Sequence, residues 1–330
     1  MTQMKTQNFG VEVEMNHITR YNAAKVAAKY FGTFRYEDTA SRNGYYAWSA
    51  WDRQGREWKF QKDISIHGPD SEKCEMVTPI LTYADIPALQ QLVRELREAG
   101  AISNPNEGCG VHIHVDGTGH TAKSIRSLCN IMAKYEHTFA KTVYIPNNRM
   151  NSYCKMIDDH FLTILNAKRP TTLREVANIW YGTQASSERR NNHYNSSRYH
   201  ALNLHSFFNG HGTIEFRLFQ FDNPHKIRKN GNVTGYSNGG LHAGKLKAMI
   251  HMCLALCAYA KEVSPMQFDK QICTKAEMDQ FMDVIGLTGD EFKVTRKYFE
   301  RGLNDATARA TANPRPVIPV QPTIPLTIAF

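Results

Sequence analysis

The 330-residue chain has no apolar run long enough to cross a bilayer. Its longest, AMIHMCLALCAYA at 248–260, falls short of the roughly 20 residues a span needs and carries His251, so it reads as a buried helix. The first residues, MTQMKTQNFGVEVEM, lack an apolar h-region, and no secretory signal is expected. Seven cysteines, an odd number with no CxxC spacing, argue against a disulfide framework or a zinc ribbon and for a reducing cytoplasm. Cys253 and Cys257, at i and i+4 of the apolar segment, read as core packing. There is no arginine-rich arm and no stacking-aromatic motif, so nucleic acid is not the expected partner. No internal repeat is visible.

What is present is the composition of a folded protein, with 42% hydrophobic and 22% charged residues. The net charge of +9 would raise the local concentration of phosphates, whether on a nucleotide or a polymer. The basic residues are scattered, with short concentrations only in ERR at 188–190 and HKIRK at 225–229.

Strict alternation in FGVEVEM (9–15) predicts a strand. YYAWSAW and EWKFQ flank the turn signal DRQG and predict a hairpin, and CEMVTPIL predicts a further strand closed by Pro79. Helices are expected at 22–31, at 84–100 with Gly100 as its stop, at 121–143 with Thr121 as N-cap, and within RPTTLREVANIW. HAGKLKAMIHMCLALCAYAKEV and TKAEMDQFMDVIG are also expected to be helical. Otherwise 145–197 reads as polar and irregular, with SSERRNNHYNSSR a long loop. YHALNLHSF and GTIEFRLFQF read as strands joined by NGHG, and NVTGYSNGG as a flexible loop. Spaced prolines make the tail ANPRPVIPVQPTIPLTIAF extended. Hairpins without regular βαβ alternation indicate an α+β fold: an antiparallel β-sheet with helices packed on one side.

In a strand, residues two apart share a face. VEVEM therefore sets Glu12 and Glu14 opposite Val11, Val13 and Met15. VHIHV sets His112 and His114 opposite Val111, Ile113 and Val115, and TIEFRLF sets Glu215 and Arg217 opposite Ile214, Phe216 and Leu218. Taken singly, each polar pair is an ordinary strand face; together they need a common explanation. Each apolar face must meet a core, so the polar face lies inside the sheet, where unpaired carboxylates cost several kcal/mol. Cations resolve this, and a carboxylate-rich set with one or two imidazoles suits Mg²⁺ or Mn²⁺ better than zinc. Glu75 in KCEMVTPI is a fourth contributor, with Glu72 a competitor. Asp63 in KDISI is a further candidate, as a ligand or as a group that holds a substrate amine. HIHVDG also invites a hydrolase reading through an H-x-H-x-D-H pattern, but Gly117 stands where the last histidine should be and the next one is His120.

The ordered set GVEVEM, KDISI, CEMVTPIL, GCGVHIHVD, RYHALNL and GTIEFRLF, over about residues 8–260, resembles the amidoligase family. That family belongs to the carboxylate-amine ligase superfamily of glutamine synthetase and glutamate-cysteine ligase. The resemblance implies a glutamine synthetase catalytic-domain-like sheet whose concave face holds divalent ions between ATP and a carboxylate substrate. It implies metal ligation by Glu12, Glu14, Glu75, His112 and Glu215, with the two glutamates of the first strand divided between two ions. His114 then supports the site or faces cofactor or substrate. Arg198 and Arg217 would contact phosphate and stabilise its transfer, and Asp63, or Glu75 if not committed to metal, would accept the amine's proton. The chain has no Walker-type glycine-lysine loop, in keeping with nucleotide held by metals and arginines.

The expected function is ATP-dependent amide or peptide bond formation through an acyl phosphate, using Mg²⁺ or Mn²⁺. Its partners would be a small-molecule or peptide carboxylate and an amine co-substrate, with no membrane. The alternatives are a metal-dependent hydrolase on the HxHxD segment and an inactive binding protein on the same fold. The expected division is a catalytic domain at 1–265, a helical extension at 266–310 and a proline-rich extended tail at 311–330.

Overall fold

The computed structural model describes residues 2–182, 191–192, 194–223, 225–229, 232–237, 240–265 and 270–303. The strands are β1 (Phe9–Met15), β2 (Tyr36–Asp38), β3 (Trp48–Trp51), β4 (Glu57–Gln61), β5 (Cys74–Val77), β6 (Val111–Asp116), β7 (Leu202–Asn203), β8 (Thr213–Phe219), β9 (His225–Lys229) and β10 (Asn232–Ser237). The first eight form one antiparallel sheet in the order β2-β3-β4-β5-β1-β6-β8-β7, and β9 pairs with β10 apart from it.

The alternation in the three chemistry-bearing strands sets the layers. Val11, Val13, Met15, Val111, Ile113, Val115, Ile214, Phe216 and Leu218 are all buried in one hydrophobic core with the helices. In the helix Ile86–Glu98, Leu89, Leu92, Val93 and Leu96 fall on one stripe and are fully covered, each stabilising the fold by roughly 1.5–3 kcal/mol. The helix Ala243–Glu262 is apolar on most sides because it is buried on most sides, packing on the helices Ala122–Val143, Ile86–Glu98 and Lys293–Phe299. Thr121 caps the Ala122–Val143 helix by accepting from the Ser124 N–H, and Gly32 ends the Arg20–Phe31 helix in the left-handed region.

All seven cysteines are buried and free, Cys253 and Cys257 within the core. No helix of the described residues is long and apolar enough to cross a membrane. The helices Lys275–Val284 and Lys293–Phe299 contribute Met278, Phe281, Met282 and Phe299 to the same core. The expected tail at 311–330 lies outside the described residues.

Three local expectations need correction. The region 145–197 is not irregular throughout: Asn147–Ser152 and Asp159–Lys168 are helices, the second capped by Asp158, whose side chain accepts from the Phe161 N–H. YHALNLHSF is not a full strand; β7 is two residues long and Asn203 turns the chain into the short helix His205–Phe208 by accepting from the His205 N–H at 2.8 Å. NVTGYSNGG is not a loop up to residue 237, since Asn232–Ser237 pairs with β9, where backbone hydrogen bonding overrides the glycine. The loop expected at 186–198 lies partly outside the described residues and ends in a 3-10 turn, Ser196–Arg198.

Candidate functional site

Antiparallel register carries the polar face from strand to strand. Glu14 on β1 stands opposite Glu75 on β5, and Glu75 opposite Gln61 on β4. On the other side Glu12 stands opposite His112 on β6, His114 opposite Glu215 on β8, and Glu215 opposite Asn203 on β7. Residues separated by up to two hundred positions are thus neighbours on six adjacent strands.

His112 lies at the centre of this row. Its Nδ1 is 2.8 Å from Glu12 Oε2 and 3.9 Å from Glu215 Oε1, and its Nε2 is 3.8 Å from Glu14 Oε1. His114 Nε2 is 3.2 Å from Glu12 Oε1, and its Nδ1 is 3.1 Å from the Thr213 hydroxyl, itself 2.8 Å from that of Ser206. Arg217 Nη1 donates to Glu215 Oε1 and Asn203 Nδ2 to Glu215 Oε2, both at 2.5 Å. Gln61 Nε2 donates to Glu75 Oε2 at 2.7 Å, and the Gly110 N–H to Glu14 Oε2 at 2.5 Å. Glu14, Glu75, His112, Glu215 and Arg217 are buried, while a quarter of the Glu12 side chain reaches solvent.

Electrostatics differ along the row. Burial pushes the Glu75 carboxyl up, and Glu12, Glu14 and Asp63 push it further, well above the usual carboxylate range. Burial would also raise Glu12, but His114 and His112 outweigh it and hold Glu12 well below that range. For Glu215, burial is outweighed by Arg217 and His114, and the carboxyl is held low. Burial would lower His114, yet Glu215 and Glu12 raise it, and Arg217 is raised by Glu215 and Glu12 against its own burial.

Two overlapping sets of donors fit a cation: Glu12, His112 and Glu215, and Glu14, Glu75 and His112, each with one ligand atom per residue within 4.8 Å of the others. The first set already has local counter-charge from Arg217 and the imidazoles. The second holds two buried carboxyls facing one another, with one imidazole 3.8 Å away, and among the described residues no Lys or Arg pairs with either. A hard divalent cation would relieve that repulsion, and carboxylate oxygens with a single imidazole suit Mg²⁺ or Mn²⁺.

Asp63 lies beside this row rather than in it. Its Oδ1 accepts the Ser65 N–H at 2.6 Å, and its charge is felt by Glu75. Arg198 closes the Ser196–Arg198 turn with its guanidinium 5.8 Å from the Tyr199 ring; Arg217 approaches the same ring at 6.0 Å. The hydroxyls of Tyr45, before β3, and Tyr194, before β7, are 3.4 Å apart. The loops before β3 and before β7 therefore meet through two exposed side chains.

Glu72 lies in the turn after Pro69 and belongs to neither donor set. Asp116 is likewise outside both sets; its Oδ1 accepts the Thr118 N–H at 2.9 Å, as a turn residue does. His120 is buried against Ser124 at 3.0 Å and burial pushes it down to about 3. The HxHxD segment therefore does not converge with His120 on a zinc-like centre. Two residues of the site were not expected from the sequence. Gln61 was findable from the alternation Glu57, Lys59, Gln61. Asn203 carries no such signal, because it sits in a two-residue strand.

Residues 5–225 match the sequence family described as "Putative amidoligase enzyme". No curated protein matches the chain. Among solved structures, the crystal structure of a bifunctional glutathione synthetase from Pasteurella multocida is similar at 12% identity and a TM-score of 0.41, over 90% of this chain and 47% of that one. The chain thus spans about half the length of that protein.

Proposed function

Because the chain belongs to this amidoligase family, we propose that it is an ATP-dependent carboxylate-amine ligase working in the cytoplasm on the polar face of the sheet. The observation that carries this reading is the pair of donor sets sharing His112, which gives the family's activity a place for two divalent ions. We read the sheet as glutamine synthetase catalytic-domain-like, with residues 1–265 as the catalytic unit followed by the extension and tail.

Glu14, Glu75 and His112 would hold one ion, and Glu12 and Glu215 would offer oxygen ligands to a second, with His112 Nδ1 turned to Glu12 rather than to that ion. When bound, Mg²⁺ or Mn²⁺ supplies charge neutralisation and orientation for the triphosphate. Arg217, pinned by Glu215, presents a fixed guanidinium toward the transferring phosphoryl group, and Arg198 adds a second from beyond Tyr199. His114, held by Glu12 and Thr213, positions the first donor set and the substrate side of it. In the first step a carboxylate oxygen of the substrate bonds to the γ-phosphorus as ADP leaves, giving an acyl phosphate. In the second the amine attacks the acyl carbon, inorganic phosphate leaves, and Asp63 accepts the amine's proton.

The test is ADP release from purified protein with Mg²⁺ or Mn²⁺, ATP, and mixtures of carboxylates and amines, with the product found by mass. The reading expects ADP formation that needs both co-substrates and falls at least 100-fold in Glu14→Ala. Absence of ATP binding in the presence of either ion would sink it.

A further inference from the structure

Arg149, in the helix Asn147–Ser152, is nine-tenths buried. Its guanidinium occupies the space where a side chain at Gly110 would stand: a Cβ on Gly110 would lie 2.1 Å from Nη2 and 2.7 Å from Cζ. Gly110 immediately precedes β6, in phase with His112 and His114, so the guanidinium crosses the polar face of the sheet. Gly110 is also bound to Glu14 twice, donating its N–H to Oε2 and accepting the Glu14 N–H at 3.1 Å. Arg149 thus stands next to the donor set that has the least counter-charge.

Its own partners do not account for its charge. Nη2 donates to the carbonyls of Arg217 at 3.3 Å and Phe219 at 3.4 Å, where a register shift interrupts the β6–β8 ladder. Nε is buried without a hydrogen-bond partner, and among the described residues no carboxylate pairs with the guanidinium. A neutral amide would meet two carbonyls without bringing a full charge out of water. A buried guanidinium that forms no direct ion pair among the described residues, with room for it only because residue 110 has no side chain, points to an anion that arrives with the substrates.

We propose that Arg149 binds an oxyanion beside Glu14, a phosphate or carboxylate oxygen of the ligase's substrates. The proposal rests on the ligase reading for the source of the anion but on the structure alone for the site. The planar fork of Arg149 would offer Nε and its free Nη hydrogens to two oxygens of one group. Gly110 keeps the approach open.

The experiment measures binding by calorimetry, at constant ionic strength and with Mg²⁺ present, of three probes: MgATP, sodium tripolyphosphate and glutarate. The proteins are the unaltered chain, Arg149→Met, Arg149→Lys and Gly110→Ala, the last of which keeps the charge but displaces it. The shift in Tm produced by Mg²⁺ controls for the fold and the metal site. The proposal expects Arg149→Met and Gly110→Ala to keep the Mg²⁺ shift and to weaken one class of probe at least 10-fold, with Arg149→Lys in between. Weakening of tripolyphosphate and MgATP assigns the oxyanion to the nucleotide, and weakening of glutarate assigns it to the carboxylate substrate. Unchanged affinity for all three probes, with only a lowered Tm, overturns the proposal and makes Arg149 a plug for the interrupted ladder. If the unaltered chain fails to bind MgATP while the simple anions still depend on Arg149, the ligase reading fails and the anion site stands.

Discussion

His112 and Glu12 face one another across β6 and β1, with Nδ1 2.8 Å from Oε2. This contact fixes one ring nitrogen toward the Glu12 and Glu215 set and turns the other toward Glu14, so one imidazole belongs to both donor groups.

Glu14 and Glu75 are the two carboxyls of the other donor group. Glu75 is pushed up by burial and by its acidic neighbours, so replacing it with a neutral amide removes repulsion in the metal-free protein. Glu75→Gln should therefore leave the metal-free Tm unchanged or higher. It should abolish most of the stabilisation by Mn²⁺, which for the unaltered protein is about 2.7 kcal/mol at a hundred times the Kd. Thermal unfolding with and without Mn²⁺ measures both effects; a lower metal-free Tm with an intact Mn²⁺ shift contradicts the assignment.

A buried ion pair behaves differently. Arg217→Met removes the counter-charge of Glu215, which is 3% exposed and bound at 2.5 Å, and should cost about 3–5 kcal/mol. Adding Glu215→Gln to it should restore most of that stability, because no buried charge is then left alone. Denaturant unfolding of the two single variants and the double variant gives the coupling. Additive losses would show that the pair is not the source.

Away from the site, Glu136 is fully buried in the Ala122–Val143 helix, with both oxygens on the Ile157 N–H at 3.1 and 3.0 Å and Lys270 3.9 Å away. Burial pushes its carboxyl up from 4.5 to about 8. Because the folded pKa is the higher one, the stability linked to this group is complete below pH 4.5 and is lost as pH rises to about 8. The slope should reach up to ~1.4 kcal/mol per pH unit within that window. Glu136→Gln should flatten it, so the Tm of the variant relative to the unaltered protein should climb between pH 5 and 8. A constant difference would place the group's titration elsewhere.

Gly117 tests the exit from β6. A Cβ there would lie 2.4 Å from the Phe207 ring and 2.5 Å from the Gly212 carbonyl, which also accepts the Gly117 N–H at 2.9 Å. The backbone oxygen cannot swing aside as a flexible side chain can, so Gly117→Ala should destabilise by about 1–3 kcal/mol. Unfolding midpoints measure this, with no loss expected at Gly44, where a Cβ meets nothing within 4 Å, beyond the strain of its positive φ.

The alternation of VEVEM, VHIHV and TIEFRLF was readable because period-two burial leaves its mark on every second residue, and it located Glu12, Glu14, His112, His114, Glu215 and Arg217 on one face. Glu75 was readable only as a lone carboxylate in a short strand that runs into a turn, with Glu72 as a competitor. The helix Asp159–Lys168 was hidden by its polar surroundings, and the hairpin of β9 and β10 by its glycine, because hydrogen bonding to a partner strand leaves little trace in composition.

Taken alone, then, the sequence determined the α+β class, the apolar core face and the acid-and-imidazole row, since each follows from the spacing of residues along one strand. Which rows meet is a matter of register between strands distant in the chain. Only the tertiary structure decided that Glu14 faces Glu75, that His112 is shared between two donor sets, and that Arg149 reaches the polar face over Gly110. Those relationships depend on strand order and on the room left by a missing side chain, and neither is a local property of the chain.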